Sequence, residues 1–197
     1  AYCRIRKGIV SCNGSLIYTN TEEQDHVQFL NQTYRFLKPE YPKFFKMDNL
    51  SKTGFLAAEM LLKGTSIYGE QPKLKTAMFI SNKSASLDTD EAYQKTLGEE
   101  YFPSPAVFVY TLPNILMGEI AIKHKLFGEN TFFVSELFDY DSIYDYVCET
   151  FSETDIENAL VGWIDYYHND CAAFLMLVEK ENKENWIEFS TKEIVKL

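Results

Sequence analysis

The residues with the most chemical potential in this chain lie in the segment GENTFFVSELFDYDSIYDYV, residues 128–147. An apolar run passes there into a helical pattern through Ser135, Glu136, Leu137 and Phe138. Such strand-to-helix corners often present a nucleophile, because unpaired N–H groups and the dipole at a helix N-terminus favour negative charge. This corner offers one hydroxyl and one carboxylate, and no thiol. Ser135 precedes the helix and reads more simply as a cap or strand-end residue than as a nucleophile. Glu136 has the chemistry of an acid or base, but a carboxylate at a helix start is also ordinary electrostatics. The cysteines Cys3, Cys12, Cys148 and Cys171 form no C-x-x-C pair and no Cys/His cluster at zinc spacing, so neither a metal nor a cofactor is expected. Cys148 falls about three helical turns beyond the corner, and Cys12 reads as a small buried residue. His124 follows Lys123 at the end of a helical pattern, where a cation is favoured, and reads as structural. His168 belongs to an exposed turn. The loop SNKSASLDTD, 81–90, is polar enough to hold an anion, but a plain surface loop is the simpler reading. Lys73, Lys75, Lys123 and Lys125 form either a basic patch or a solvated face.

These residues need a scaffold, and the pattern supplies one. The 197 residues suit one domain that folds without disulfides or metal. A net charge of −10 argues against nucleic acid as a partner. The apolar runs are too short to span a bilayer, no signal peptide is visible, and the cysteine usage fits a reducing, cytoplasmic setting. Strands are expected at 3–10, 75–81, 131–135, 159–166 and 171–179, with a possible edge strand at 186–189. A turn is expected at Asn13-Gly14. Helices are expected at 24–37, 49–64, about 88–97, 108–124 and 139–151. The helix 108–124 contains Pro113, acceptable in a first turn or as a kink. Asn114 and Gly118 on it read as residues permitting close helix packing, with ligand binding the less simple alternative. Strands alternating with helices argue for an α/β domain with a mainly parallel sheet covered on both faces. The tight final β-turn-β makes the last strand antiparallel.

Four stretches carry a family resemblance, in order along most of the chain. TLPNILMGEIAIKHKLFGEN, 111–130, has Thr111, Asn114, Gly118 and Gly128 at the spacing of the helix that precedes the catalytic elbow in β-ketoacyl-acyl carrier protein synthases. FFKMDNLSKTGFLAAEMLL, 44–62, resembles that family's first long helix; NALVGWID, 158–165, the strand ending in a glycine pair; and DCAAFLMLVEK, 170–180, the strand that follows. The resemblance implies a single thiolase-like half-domain, the N-terminal one, spanning 1–197. It implies a five-stranded mixed sheet in the order 3-2-1-4-5, the fifth strand antiparallel, with helices on both faces. Strand 131–135 would be an edge, through which the family pairs across a dimer.

Carried onto this sequence from Gly128, the family's nucleophilic cysteine falls on Leu137, which cannot form a thioester. A slip of one residue gives Glu136 or Phe138 and restores nothing. The two catalytic histidines belong to the family's other half, and His26, His124 and His168 match neither of their motifs. Trp163 replaces a glycine of the pair. No catalytic residue is therefore assigned, and Asn114 and Phe138 stand as candidates for substrate binding. The resemblance implies a 3-oxoacyl-acyl carrier protein synthase-like subunit, inactive alone. It would serve fatty-acid, polyketide or aryl-polyene-type assembly. Its partner would be itself or a full-length ketosynthase, with an acyl carrier protein as a further partner. Two other readings stay open: an acyl-thioester enzyme using Ser135 or Glu136, and a module binding an acyl chain or small molecule.

Overall fold

A computed structural model describes residues 1–20, 25–69, 71–98, 102–181 and 187–196. The strands are Tyr2–Arg6 (β1), Ile9–Cys12 (β2), Ser15–Thr19 (β3), Thr76–Asn82 (β4), Asn130–Val134 (β5), Asn158–Tyr167 (β6) and Asp170–Glu179 (β7). The helices are His26–Leu37 (α1), Asn49–Leu62 (α2), Leu87–Gln94 (α3), Pro105–Phe108 (α4), Ile115–His124 (α5), Tyr140–Glu153 (α6) and Thr191–Ile194 (α7). Short 3-10 turns at Pro42–Lys46 and Val109–Thr111 complete the order.

All seven strands form one sheet in the order β3-β2-β1-β7-β6-β4-β5. β4 is wholly buried and lies parallel to both β5 and β6, so its side chains are covered on each face. β6 and β7 pair antiparallel through the turn at His168 and Asn169, both at positive φ, as a two-residue hairpin requires. Two apolar layers enclose the sheet. One joins it to α1, α2 and α5 through Leu30, Phe55, Leu56, Leu116 and Ile120. The other joins it to α6 and α7 through Ile143, Val147 and Ile194. The mixed α/β class, the covered faces and the antiparallel last strand are as expected.

The sheet departs from expectation in three ways. It is mainly antiparallel rather than mainly parallel: only β4 pairs in parallel, with β5 and β6, while the other four neighbouring pairs are antiparallel. It has seven strands, not five, because the run 3–10 folds back at Lys7 and Gly8, both at positive φ, and divides into β1 and β2. The expected turn at Asn13-Gly14 then adds β3. The order also differs. The N-terminal strand does not lie between the strands 76–82 and 158–167, which pair directly; β1 sits beyond β7 and antiparallel to it. Burial explains the placement: in β1 only Cys3 and Ile5 are buried, too little for a strand covered on both faces.

The long helix expected at 108–124 is broken rather than kinked. Leu112 is extended (φ −114°, ψ 116°), so α4 and its 3-10 turn stand at 97° to α5. Proline disfavours the helical conformation in the residue before it, and Pro113 does so at Leu112. Among the described residues no single helix is long and apolar enough to cross a membrane. The expected edge strand at 186–189 is not formed at 187–189; Trp186, and Gln24 of the first expected helix, lie outside the described residues.

Candidate functional site

In an open α/β sheet, ligands bind beyond the carboxyl ends of the parallel strands. Here those ends are Asn82, Val134 and Tyr167, and the elbow after β5 lies among them. Its first residue is pinned: the Ser135 N–H donates to Asn82 O at 2.9 Å. The Ser135 hydroxyl donates to Leu137 O at 2.8 Å, closing a local turn. That is the structural role the sequence favours, and it commits the hydroxyl proton to a carbonyl rather than to a base. Leu137 is 76% exposed, so it plugs no pocket. Phe138 turns inward and packs edge-on against Tyr140, Trp163 and Phe174. Glu136 is exposed.

The corner is wider than the sequence suggests. The strand ends at Val134 and the helix begins at Tyr140. Leu137 therefore stands outside the helix start, and the N-cap is Asp139. The Asp139 carboxylate accepts from the Ser142 N–H at 3.0 Å and from the Ser142 hydroxyl at 2.7 Å. These bonds hold the Asp139 carboxyl below the usual range. The dipole position that would stabilise a thiolate is thus taken by the chain's own carboxylate.

The same occurs at two neighbouring sites. In the loop after β4, Ser84 gives its N–H and hydroxyl to the two oxygens of Asp165, at 3.0 and 3.2 Å. Asn82 and Ala85 close the loop on themselves with paired 2.9 Å bonds. The Ser84 donors are thus engaged within the chain, and only 83–86 is loop, since β4 ends at Asn82 and α3 begins at Leu87. At the start of α2, Asp48 accepts from the Ser51 N–H at 2.9 Å and the Thr89 hydroxyl at 2.7 Å. Burial pushes the Asp48 carboxyl up, against those bonds.

The remaining candidates are scattered. His168 is exposed, stacks on Tyr167 and meets Glu91 at 2.8 Å. His26 lies edge-on to Phe29. His124 is buried, with its Nε2 3.2 Å from Glu59 Oε1, close but not aligned as a hydrogen bond. Tyr68 donates to the other oxygen of Glu59 at 3.2 Å. Cys148 lies on α6 beyond the elbow, and the Cys171 thiol, buried beside Thr53, is pushed up to about 11 by desolvation. Of the lysines, Lys73 and Lys123 donate to the carbonyls of Gly69 and Pro39, and Lys75 pairs with Glu157. No cluster of three His, Cys, Asp or Glu side chains suited to a metal exists among the described residues.

The two candidate binding residues do not meet. Phe138 borders a shallow depression between the elbow and α7. Asn114 lines a separate groove of about 460 Å³ between α5 and the free edge of β5, with Met117, Gly118, Phe132 and Val134. Among the described residues nothing packs closely on Gly118, since a Cβ on it would meet none of them within 4 Å. Close approach is instead made by Gly54, facing Leu116, and by Gly128, whose Cβ would fall 2.3 Å from Thr76 O. The occupied helix start at Asp139 was open to sequence reasoning through the D-x-x-S spacing of Asp139 and Ser142. The pairing of Asp165 with Ser84 spans 81 residues and leaves no local signal.

The fold, with an elbow after an edge strand, is similar to that of solved ketosynthase and chain length factor structures. Among solved structures, the chain is similar to the ishigamide ketosynthase/chain length factor, with a TM-score of 0.58 and 17% identity over 71% of this chain and 46% of that one. It is similar to the ketosynthase ApeO in complex with its chain length factor ApeC from Xenorhabdus doucetiae (TM-score 0.57, 13% identity, 92% of this chain and 77% of that one). It is also similar to the AntDE:AntF complex, a type II polyketide acyl-carrier protein with its ketosynthase bound to the hexaketide (TM-score 0.60, 17% identity, 78% and 58%). The chain thus spans about half the length of the first and third of these. No family model and no curated protein sequence matches it.

Proposed function

We propose that this chain is a ketosynthase-like subunit without a nucleophile. It serves as a non-catalytic partner in fatty-acid, polyketide or aryl-polyene-type assembly. The observation that carries this is the elbow: hydrocarbon at Leu137 where the fold's relatives by resemblance hold a thiol, and Asp139 in the position where a thiolate would be stabilised. A partner, either a second copy or a full-length ketosynthase, adds to the free edge of β5. Two features of that edge support the reading. Met78 N–H donates to Glu129 O, and Ser135 N–H to Asn82 O. By the parallel ladder's alternation, odd-numbered residues of β5 face β4, while Asn130, Phe132 and Val134 turn their N–H and C=O outward. Beside them lies the groove floored by Gly118, where a neighbouring chain can approach closely. An acyl carrier protein is the further partner of such an assembly.

The test is recovery of the tagged chain from its native host, with bound proteins identified by peptide mass. A ketosynthase or an acyl carrier protein is expected, and its loss is expected in Val134→Pro, which deletes an outward N–H while leaving the β4 ladder intact. Absence of both proteins from the wild-type complex overturns the proposal. The acyl-thioester enzyme using Ser135 or Glu136 finds no support in the bond from Ser135 to Leu137 O. Small-molecule or acyl binding has the Asn114 groove as its place.

A further inference from the structure

Two thiols unconnected with the elbow face each other at the other end of the sheet. Cys3 on β1 and Cys12 on β2 are register partners in the first hairpin. Directly opposed residues of an antiparallel pair share a face, and both side chains pack on the α1–α2 side of the sheet. Their pair type follows from the neighbours. Asn13 N–H donates to Tyr2 O at 2.9 Å, so positions 2 and 13 form a hydrogen-bonded pair. Pair types alternate, which makes Cys3 and Cys12 a non-hydrogen-bonded pair. Their Cα atoms then stand about 4.5 Å apart with side chains close, inside the range of about 4.4–6.8 Å that a disulfide spans. The remaining cysteines offer no competing partner. Cys148 is on α6, across the sheet. Cys171 lies four residues along β7 from Leu175, the residue opposite Cys3, or about 13 Å away.

We propose that Cys3 and Cys12 are a reversible redox pair, closed into a cross-strand disulfide by exchange with a low-molecular-weight disulfide and reopened by thiols. The two are not equivalent. Cys3 is fully buried, while Cys12 is partly exposed and is the one an oxidant reaches. The neighbouring Cys3 lowers the Cys12 thiol below its ordinary value, while Cys12 and burial together raise that of Cys3. Cys12 is therefore the attacking thiolate. It displaces one thiolate from the small disulfide and becomes a mixed disulfide. Cys3 then gives up its proton, attacks the Cys12 sulfur and expels the second thiolate. Two protein thiols and one small disulfide become one protein disulfide and two small thiols, so atoms and electrons balance. Because Cys12 is partly exposed, a small thiol can attack the bond there and reopen it. Closure staples β1 to β2 around the turn at Lys7 and Gly8, stiffening the hairpin that carries the outer strand β3.

The test uses the full chain and oxidised glutathione under native conditions. Remaining thiols are quenched by alkylation, followed by intact mass and peptide mapping without reduction. The expected product is lighter by two hydrogens at the pair, gives a linked peptide containing Cys3 and Cys12, and reverts fully with dithiothreitol. Cys148, exposed and alone, is expected to retain glutathione and reports that the reagent was active. In Cys12→Ser the linked peptide disappears and Cys3 is recovered alkylated. The proposal is overturned if glutathione remains on Cys12 with Cys3 unlinked. It is equally overturned if both stay unmodified while Cys148 reacts.

Discussion

Replacing Gly118 by alanine should make the isolated chain more stable. Gly118 lies inside α5, with helical residues on both sides. Glycine in a helix interior costs about 1 kcal/mol relative to alanine, because the unfolded chain loses more freedom. In most cores that gain is cancelled by a clash. Here the added Cβ would meet nothing within 4 Å, so the gain should appear nearly whole. For a chain of this size 1 kcal/mol corresponds to about 2–4 °C in Tm. Gly162→Ala is the contrasting case in the same protein. Its Cβ would fall 2.0 Å from Phe174 O on the neighbouring strand, where backbone cannot step aside. The loss there should be about 3 kcal/mol. Urea and thermal unfolding of dilute monomer would measure both. If the α5 groove receives a neighbouring chain, the same methyl should weaken association while it strengthens the monomer, seen by sedimentation as a raised dissociation constant. Lower monomer stability in Gly118→Ala would refute the reasoning, since it would mean the space beside α5 is not open.

Three further outcomes follow from the geometry. His124→Ala removes the buried partner of Glu59 and opens a cavity between α5 and α2. It should lower the urea-derived stability by about 3 kcal/mol, whereas a change under about 0.5 kcal/mol, as for an ordinary surface site, would contradict the packing. Asp139 has its folded pKa lowered by Ser142, so its contribution is present above the unfolded carboxyl range and is lost as pH falls through the folded value. Asp139→Asn should therefore lower Tm at neutral pH, with the difference from wild type closing below about pH 3; a pH-independent difference would speak against the carboxylate's role. Val134→Pro should leave the monomer's unfolding midpoint nearly unchanged, because Val134 is exposed and its N–H faces outward; unfolding of the monomer would show that the edge is paired differently.

Local patterns carried most of the architecture. Apolar runs and short polar turns placed β4, β5, β6 and β7 within a residue of their observed bounds, and the helical pattern from 139 begins within a residue of α6. What escaped was set by single dihedrals and by distance along the chain. Lys7 and Gly8, both at positive φ, turned one apparent strand into a hairpin, and Pro113 broke a helix that looked continuous by composition. Sheet order depends on which strands are covered on both faces, and the weak burial of β1 sends it outward. At the elbow, the absence of a cysteine from 134–139 was legible in the letters themselves. The exposure of Leu137 and the engagement of Ser84 by Asp165 depend on contacts that no local window contains.

The central claim is that the elbow is chemically silent, and covalent capture tests it most directly. Purified chain would be incubated with an acyl-coenzyme A thioester, then analysed by intact mass and by mapping of any adduct. The account predicts that residues 135–139 carry no acyl group at any time point. An acyl group mapped to Ser135 or Glu136, with turnover of the thioester, would contradict it.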